Sequence, residues 1–188
     1  LSAKLGYVYG SNTDSDRVLK VTHNGADMFG YNYGNFGRLM SFNYLGINGT
    51  ARSTNYGYAA NGNNTTTIVN SVENSGFAPL AYTYDSRGNI SAITEGETQH
   101  SYTYNSRNML TGSTHGSDVY AYTYDGNGNI LSKSKNGNQF ATYGYNNSEW
   151  PDLLTSFNGE EITYDASGNP LNYCGKKTFT WNGRQLNR

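Results

Sequence analysis

A single cysteine, Cys174, stands in the 188-residue chain, so neither a disulfide framework nor a cysteine-based zinc site is available. Net charge is equally scarce: 13 Lys+Arg against 14 Asp+Glu leave −1. That balance provides no electrostatic footprint for nucleic acid or an anionic membrane. No apolar run approaches the roughly 18 residues of a membrane-spanning helix. Proline is rare, with 3 residues, and the Ala-Leu-Glu-Lys composition of helical proteins is missing. Mean hydropathy of −0.73 would suit a disordered chain. Disorder, however, goes with few aromatics and high net charge, and neither holds here.

What the chain does have is 18 Tyr, 7 Phe and 23 Gly, with abundant Asn, Thr and Ser. Tyrosine brings apolar area that hydropathy scales undercount, so a tyrosine-rich core can form. Tyr and Thr favour strands, whereas Gly and Asn favour turns that need positive φ. The composition predicts an all-β fold with many tight turns.

Internal repeats fix the arrangement more closely. Tyr82-Thr-Tyr84-Asp85-Ser-Arg-Gly88-Asn89-Ile90 recurs as Tyr102-Thr-Tyr104-Asn105-Ser-Arg-Asn108-Met-Leu110. It returns as Tyr122-Thr-Tyr124-Asp125-Gly-Asn-Gly128-Asn129-Ile130 and as Ile162-Thr-Tyr164-Asp165-Ala-Ser-Gly168-Asn169-Pro170. The second aromatic falls at 84, 104, 124, 145 and 164, a period of about 20 residues. Weaker copies begin at Tyr31 and Tyr56, and Tyr7-Val-Tyr9 begins a still more degenerate one. Residues 1–75 therefore read as degenerate hairpin repeats and 76–188 as clear ones, in one continuous array. The chain opens on Leu1, and a segment of a longer protein is expected.

Each motif is physically a hairpin. Asp85 suits the first position of a type I turn, where its carboxylate accepts nearby backbone N–H groups. Gly88 supplies the left-handed residue of a three-residue loop, and Asn108 is the next-best residue for that conformation. This loop pairs Tyr84 with Ile90 and Tyr82 with Ala92. It likewise pairs Tyr33 with Leu39, Tyr104 with Leu110, Tyr124 with Ile130 and Tyr164 with Pro170. An apolar residue opposite the second tyrosine is what a shared buried face demands. Tyr58, facing Asn64, breaks the rule. Tyr82 and Tyr84 share one face and Thr83 takes the other, so stacked hairpins form tyrosine ladders. Core packing is the plain role of these tyrosines; a stacking platform for sugars or bases is the alternative.

Tyr-x-Tyr-Asp-x-x-Gly-Asn at this spacing resembles the YD repeat of bacterial RHS proteins, insecticidal toxin-complex components and animal teneurins. Trp150-Pro-Asp152 through Gly159, the Tyr164 motif, and Phe179-Thr-Trp181-Asn-Gly183-Arg look like a stretch found in Gram-positive RHS proteins. The clear match covers about 76–188, with a looser one back to about 29. The resemblance implies tandem antiparallel hairpins forming a twisted ribbon that spirals into a hollow shell, of which this chain supplies an arc. Such shells enclose or present a C-terminal effector or toxin, or form the rigid body of an adhesion molecule. Family members that release a toxin carry a self-cleavage motif containing Asp-Pro. That dipeptide is absent here, and Trp150-Pro151-Asp152 has the reverse order.

Asp125-Gly-Asn127-Gly-Asn129 imitates an EF-hand start, but position six is Ile130 and position twelve Asn136, where Gly and Glu are required. Asp85 and Asp125 lie two repeats apart, about 19 Å in a regular sheet, too far for a glycosidase pair at about 5–9.5 Å. His23, His100 and His115 show no metal spacing, and the last two fall between motifs, where solvated loop residues are expected. No nucleotide-binding, zinc-protease or nucleophile-elbow motif occurs. A non-catalytic chain without metal or cofactor is the expectation. Its expected partners are its own parent chain (adjacent repeats and an effector domain), further copies of the fragment through open sheet edges, and, as the alternative, glycans. A cysteine-poor, Asn/Thr/Tyr/Gly-rich chain suits a secreted or bacterial cell-surface protein.

Overall fold

The structure, a computed structural model, describes residues 3–11, 16–45 and 49–187, the Thr65 side chain excepted. The fold is all-β and antiparallel, as the composition implies. Two compact units, Leu1–Gln99 and His100–Arg188, divide the chain. The first contains β1 (Leu5–Tyr9), β2 (Val18–His23), β3 (Ala26–Tyr33), β4 (Leu39–Leu45), β5 (Ala51–Asn61), β6 (Asn64–Asn74), β7 (Leu80–Tyr84) and β8 (Ile90–Glu95). β9 (Thr98–Tyr104) contains the boundary. The second unit continues with β10 (Leu110–His115), β11 (Asp118–Tyr124), β12 (Ile130–Lys135), β13 (Asn138–Gly144), β14 (Ser156–Phe157), β15 (Glu160–Tyr164), β16 (Pro170–Tyr173) and β17 (Lys177–Thr178). A separate small hairpin, β18 (Trp181–Asn182) and β19 (Gln185–Leu186), ends it. Within each unit, consecutive strands pair in chain order.

Among the described residues two kinds of turn recur between strands. The first is the Asp-x-x-Gly loop, with Gly88, Gly128 and Gly168 at φ +85, +99 and +79° and Asn108 at +60°. The second is a two-residue turn at Asn24-Gly25, Asn136-Gly137 and Asn158-Gly159, where φ is positive at both positions. Its twist matches that of paired strands, so it closes hairpins tightly.

The expected pairings of the second tyrosine hold: Tyr33 faces Leu39, Tyr84 Ile90, Tyr104 Leu110, Tyr124 Ile130 and Tyr164 Pro170. Tyr82, by contrast, faces Ile93 rather than Ala92. One extra residue, Ser91, bulges between the partners of Thr83 and Tyr84 and shifts the register beyond it. The same shift recurs at Leu19, Met40, Asn70, Thr111, Leu131 and Leu171. A bulge bends its strand and raises the local right-handed twist, so every such hairpin is twisted at the same place. Tyr58 also requires correction. It faces Val69, not Asn64, because the turn lies further on, between Asn61 and Asn64. The apolar-partner rule thus extends to Tyr58, and to Tyr9 opposite Val18.

Burial follows the alternation expected of a one-sided sheet: along β9 and β11, Tyr102, Tyr104, Tyr122 and Tyr124 are half-buried while Thr103 and Thr123 are exposed. Among the described residues no side chain is fully buried. The nearest are Ala92, Ala141, Ile162, Cys174, Thr54 and Ser113. Aromatic ladders cross the strands, with Tyr31–Phe42–Tyr44 in one unit and Tyr143–Phe157–Tyr173 in the other.

The turn geometry sets an expected result. Gly126 has open space around it and an ordinary φ, whereas Gly128 holds φ +99°. Gly128→Val should cost about 2 kcal/mol more than Gly126→Val in a urea melt, because a β-branched residue is strained in the left-handed region. Equal losses would mean that the left-handed position of the loop is misassigned.

Candidate functional site

The most elaborated chemistry of this chain lies where one hairpin meets the next. It begins in the turn. Asp85 Oδ1 accepts the backbone N–H groups of Arg87 and Asn89, both at 2.9 Å, while Asn89 Nδ2 donates to Oδ2. Asp165 repeats this with Ser167 and Asn169, and Asp125 with Asn127, Gly128 and Asn129. Asn105 offers the same acceptor to Arg107 and Met109 without a charge. Both carboxylate oxygens of Asp125 are therefore occupied by its own turn.

These bonds hold the aspartates below their ordinary value of 3.8. The Asn89 and Asn169 side chains are the main cause at Asp85 and Asp165. At Asp125 desolvation is the largest single influence and opposes the shift, but the bonds from Asn129, Asn127 and Gly128 together outweigh it. A depressed folded pKa stabilises above the unfolded value, and that stability is lost as pH falls through the folded one. Urea midpoints should therefore drop as pH falls below about 3.8. In the Asp85→Asn/Asp125→Asn/Asp165→Asn triple variant, which copies the Asn105 turn, this drop should be smaller. Superimposable pH curves for the two proteins would refute the assignment.

The second tyrosine then reaches backwards. Tyr33 donates its hydroxyl to Val18 O (3.3 Å), Tyr58 to Leu39 O (2.7 Å), Tyr84 to Val69 O (2.5 Å) and Tyr124 to Leu110 O (2.8 Å). Each acceptor is the residue facing the equivalent tyrosine of the previous hairpin, immediately before its bulge. Tyr164 donates to Leu154 O at 2.7 Å. Trp181 closes the series, its indole Nε1 donating to Pro170 O at 2.6 Å. The motif thus needs an aromatic with a polar tip, which explains why Trp181 can take the place of tyrosine.

At the strand ends away from the Asp-x-x-Gly loops, the Asn of each Asn-Gly turn does equivalent work. Asn136 N–H donates to Val119 O (2.7 Å), and its side-chain Oδ1 accepts from Val119 N–H (2.8 Å). Asn24 makes the same reciprocal pair with Lys4, and Asn158 with Thr142. The side-chain amide imitates a peptide group and extends the ladder over the turn. Cys174 occupies the corresponding place, its N–H donating to Glu161 O at 3.0 Å and its thiol making only long contacts to Phe157 O and Glu160 O, at 3.9 and 4.0 Å.

Turn tips are linked as well: Arg107 donates to Asp125 O and Gly126 O, Asn129 Nδ2 to Pro151 O and Asp152, and Asn169 Nδ2 to Gly183 O. Of the residues singled out from sequence, the structure therefore places Tyr84, Tyr124, Tyr164 and Trp181 in the hydroxyl series. It places Asp85, Asn105, Asp125, Asp165, Gly88, Asn108, Gly128 and Gly168 in the turns. Tyr82, Tyr102 and Tyr122 lie on the same face as their neighbours, and Tyr122 OH comes only within 3.5 Å of Ser113 Oγ.

The sequence reading missed the role of the Asn-Gly turns, although that dipeptide is a strong hairpin signal. It also missed the histidines. His100 and His115 are not solvated loop residues but a cross-strand pair on β9 and β10. An open groove of about 600 Å3 runs past Trp150, Asn147, Glu149, Glu161, Tyr164 and Asp165, with Trp150 50% exposed.

Hairpins joined turn to turn and hydroxyl to carbonyl define a tandem β-hairpin repeat protein. A solved structure has this fold: the crystal structure of TcdB2-TccC3 without hypervariable C-terminal region. It matches at a TM-score of 0.58 and 15% identity over 89% of this chain and 11% of that one. A crystal structure of TcdB2-TccC3 aligns over 85% of this chain and 12% of that one at 13% identity, with a TM-score of 0.35. The present chain therefore spans about one ninth of the chain whose fold it shares. No protein-family model and no curated protein matches the sequence.

Proposed function

We propose that this chain is a non-catalytic structural segment of a secreted or cell-surface RHS-type protein, one stretch of a shell or scaffold that encloses or presents a C-terminal effector. The observation that carries the reading is the hydroxyl series: the motif's most specific polar group is spent on the preceding hairpin. Such a chemistry propagates from repeat to repeat and suits a wall. The TcdB2-TccC3 fold likeness and the YD motif support it. Protease protection in the parent protein tests it. A region following the repeats should resist digestion until the repeats unfold, and digestion at the rate of the isolated region would overturn the reading.

The parent chain is the natural partner of these repeats, and a second copy can substitute for it. On β1, Leu5, Tyr7 and Tyr9 keep 57, 56 and 53% of their surface exposed, and little charge blunts the strand. Sedimentation should show self-association rising with concentration; a strict monomer would oppose it.

A second reading rests on the groove at Trp150. A half-exposed indole beside amides and carboxylates is the arrangement that binds sugars, by stacking and hydrogen bonds. Calorimetric titration with wall polysaccharides should show binding that Trp150→Ala abolishes, and heats equal to dilution would exclude it.

A further inference from the structure

One cluster plays no part in joining repeats. His100 and His115 stand directly opposite each other in the β9–β10 register. Their Nδ1 atoms are 3.0 Å apart and their ring centroids 4.7 Å. Tyr102 and Tyr120 meet the His115 ring edge-on, with centroids at 5.8 and 5.9 Å. The rings are thus held by paired strands and flanking aromatics rather than by a loop. His115 is exposed and His100 half-buried, so the space between the nitrogens is open to solvent.

Two imidazole nitrogens at this separation have the geometry of a chelate. With metal–nitrogen bonds of about 2.0–2.1 Å, a gap of 3.0 Å subtends roughly 91–97° at the ion. That is the cis angle of a tetragonal site, which Cu2+ and Ni2+ prefer, and narrower than the tetrahedral angle of Zn2+. Asp118 faces His115 across β10–β11, but its carboxylate is engaged by Lys135 Nζ at 2.7 Å and by Asn136. Among the described residues no third protein ligand completes a cluster, which leaves the remaining positions to water. The same 3.0 Å separation is a hydrogen-bond distance, with the donor set by the ring tautomers.

We propose that His100 and His115 form a two-imidazole chelate for a divalent copper-class ion. The site is independent of the repeat-joining role and needs only the β9–β10 hairpin. Cu2+ is the probe. The chain has 3 His, so its imidazole Hε1 resonances report each site separately. On titration the His100 and His115 signals should broaden together, at ion concentrations that leave His23 sharp. Tyrosine fluorescence should fall with the same midpoint. His100→Gln and His115→Gln should each weaken binding about tenfold or more, while His23→Gln leaves it unchanged. If a variant fails to fold, as circular dichroism would show, the resonances of the unsubstituted chain decide. Parallel broadening of His23, or single variants within about twofold of the unsubstituted chain, would overturn the proposal.

Discussion

Tyr124→Phe combined with Tyr164→Phe should lower the stability of the His100–Arg188 unit by about 2–3 kcal/mol, although the substitutions remove only two oxygen atoms. Each hydroxyl donates to a main-chain carbonyl, Leu110 O at 2.8 Å and Leu154 O at 2.7 Å. A net hydrogen bond contributes about 1 kcal/mol, and more when its acceptor is left without a donor. Both rings are half-buried, and desolvation raises both phenolic pKa values. Tyr122→Phe is the control. Its hydroxyl has only the 3.5 Å approach to Ser113, so a change within about 0.5 kcal/mol is expected. Chemical denaturation of the three proteins gives the comparison. If the control costs half as much as the double variant or more, the hydroxyl series does not join the repeats.

Gly168→Ala should be the most damaging of the turn substitutions, at about 3 kcal/mol, against about 1 kcal/mol for Gly128→Ala. Both glycines hold a positive φ, so both variants bear the strain of a left-handed alanine. Only at Gly168 would the new Cβ meet a ring, with Trp150 Cζ3 at 2.7 Å and Cη2 at 2.9 Å; at Gly128 the neighbour is Met109 Sδ at 3.5 Å. The two contributions can be separated by a double-mutant cycle. In a Trp150→Ala background the excess cost of Gly168→Ala should vanish and leave the backbone strain alone. Persistence of the full cost in that background would show that the ring is not its source.

The pairings around the Asp-x-x-Gly turns were legible in the sequence because their causes are local. A carboxylate that caps N–H groups two and four residues ahead, and a residue that tolerates positive φ, together set Tyr84 opposite Ile90 and Tyr124 opposite Ile130. The spacing of Tyr82 and Tyr84 likewise placed both on one face, since side chains alternate along a strand. Tyr58 misled because its turn lies beyond the motif, at Asn61–Asn64, and only the closed hairpin sets its partner.

Composition, repeat and turn chemistry thus determined an all-β array of antiparallel hairpins. The tertiary structure decided how each hairpin departs from a regular ladder and what it grips. The bulges have no side-chain signature, for Ser91, Thr111, Leu131 and Met40 share nothing but position. The tyrosine hydroxyls bind carbonyl oxygens, which every residue carries and no sequence distinguishes. The histidine pair depends on the same irregularity. The register that sets Tyr104 opposite Leu110 would bring His100 to Thr114, and the extra residue at Thr111 moves it to His115. One inserted residue changes every partner beyond it, because side chains in a strand are assigned by counting from the turn.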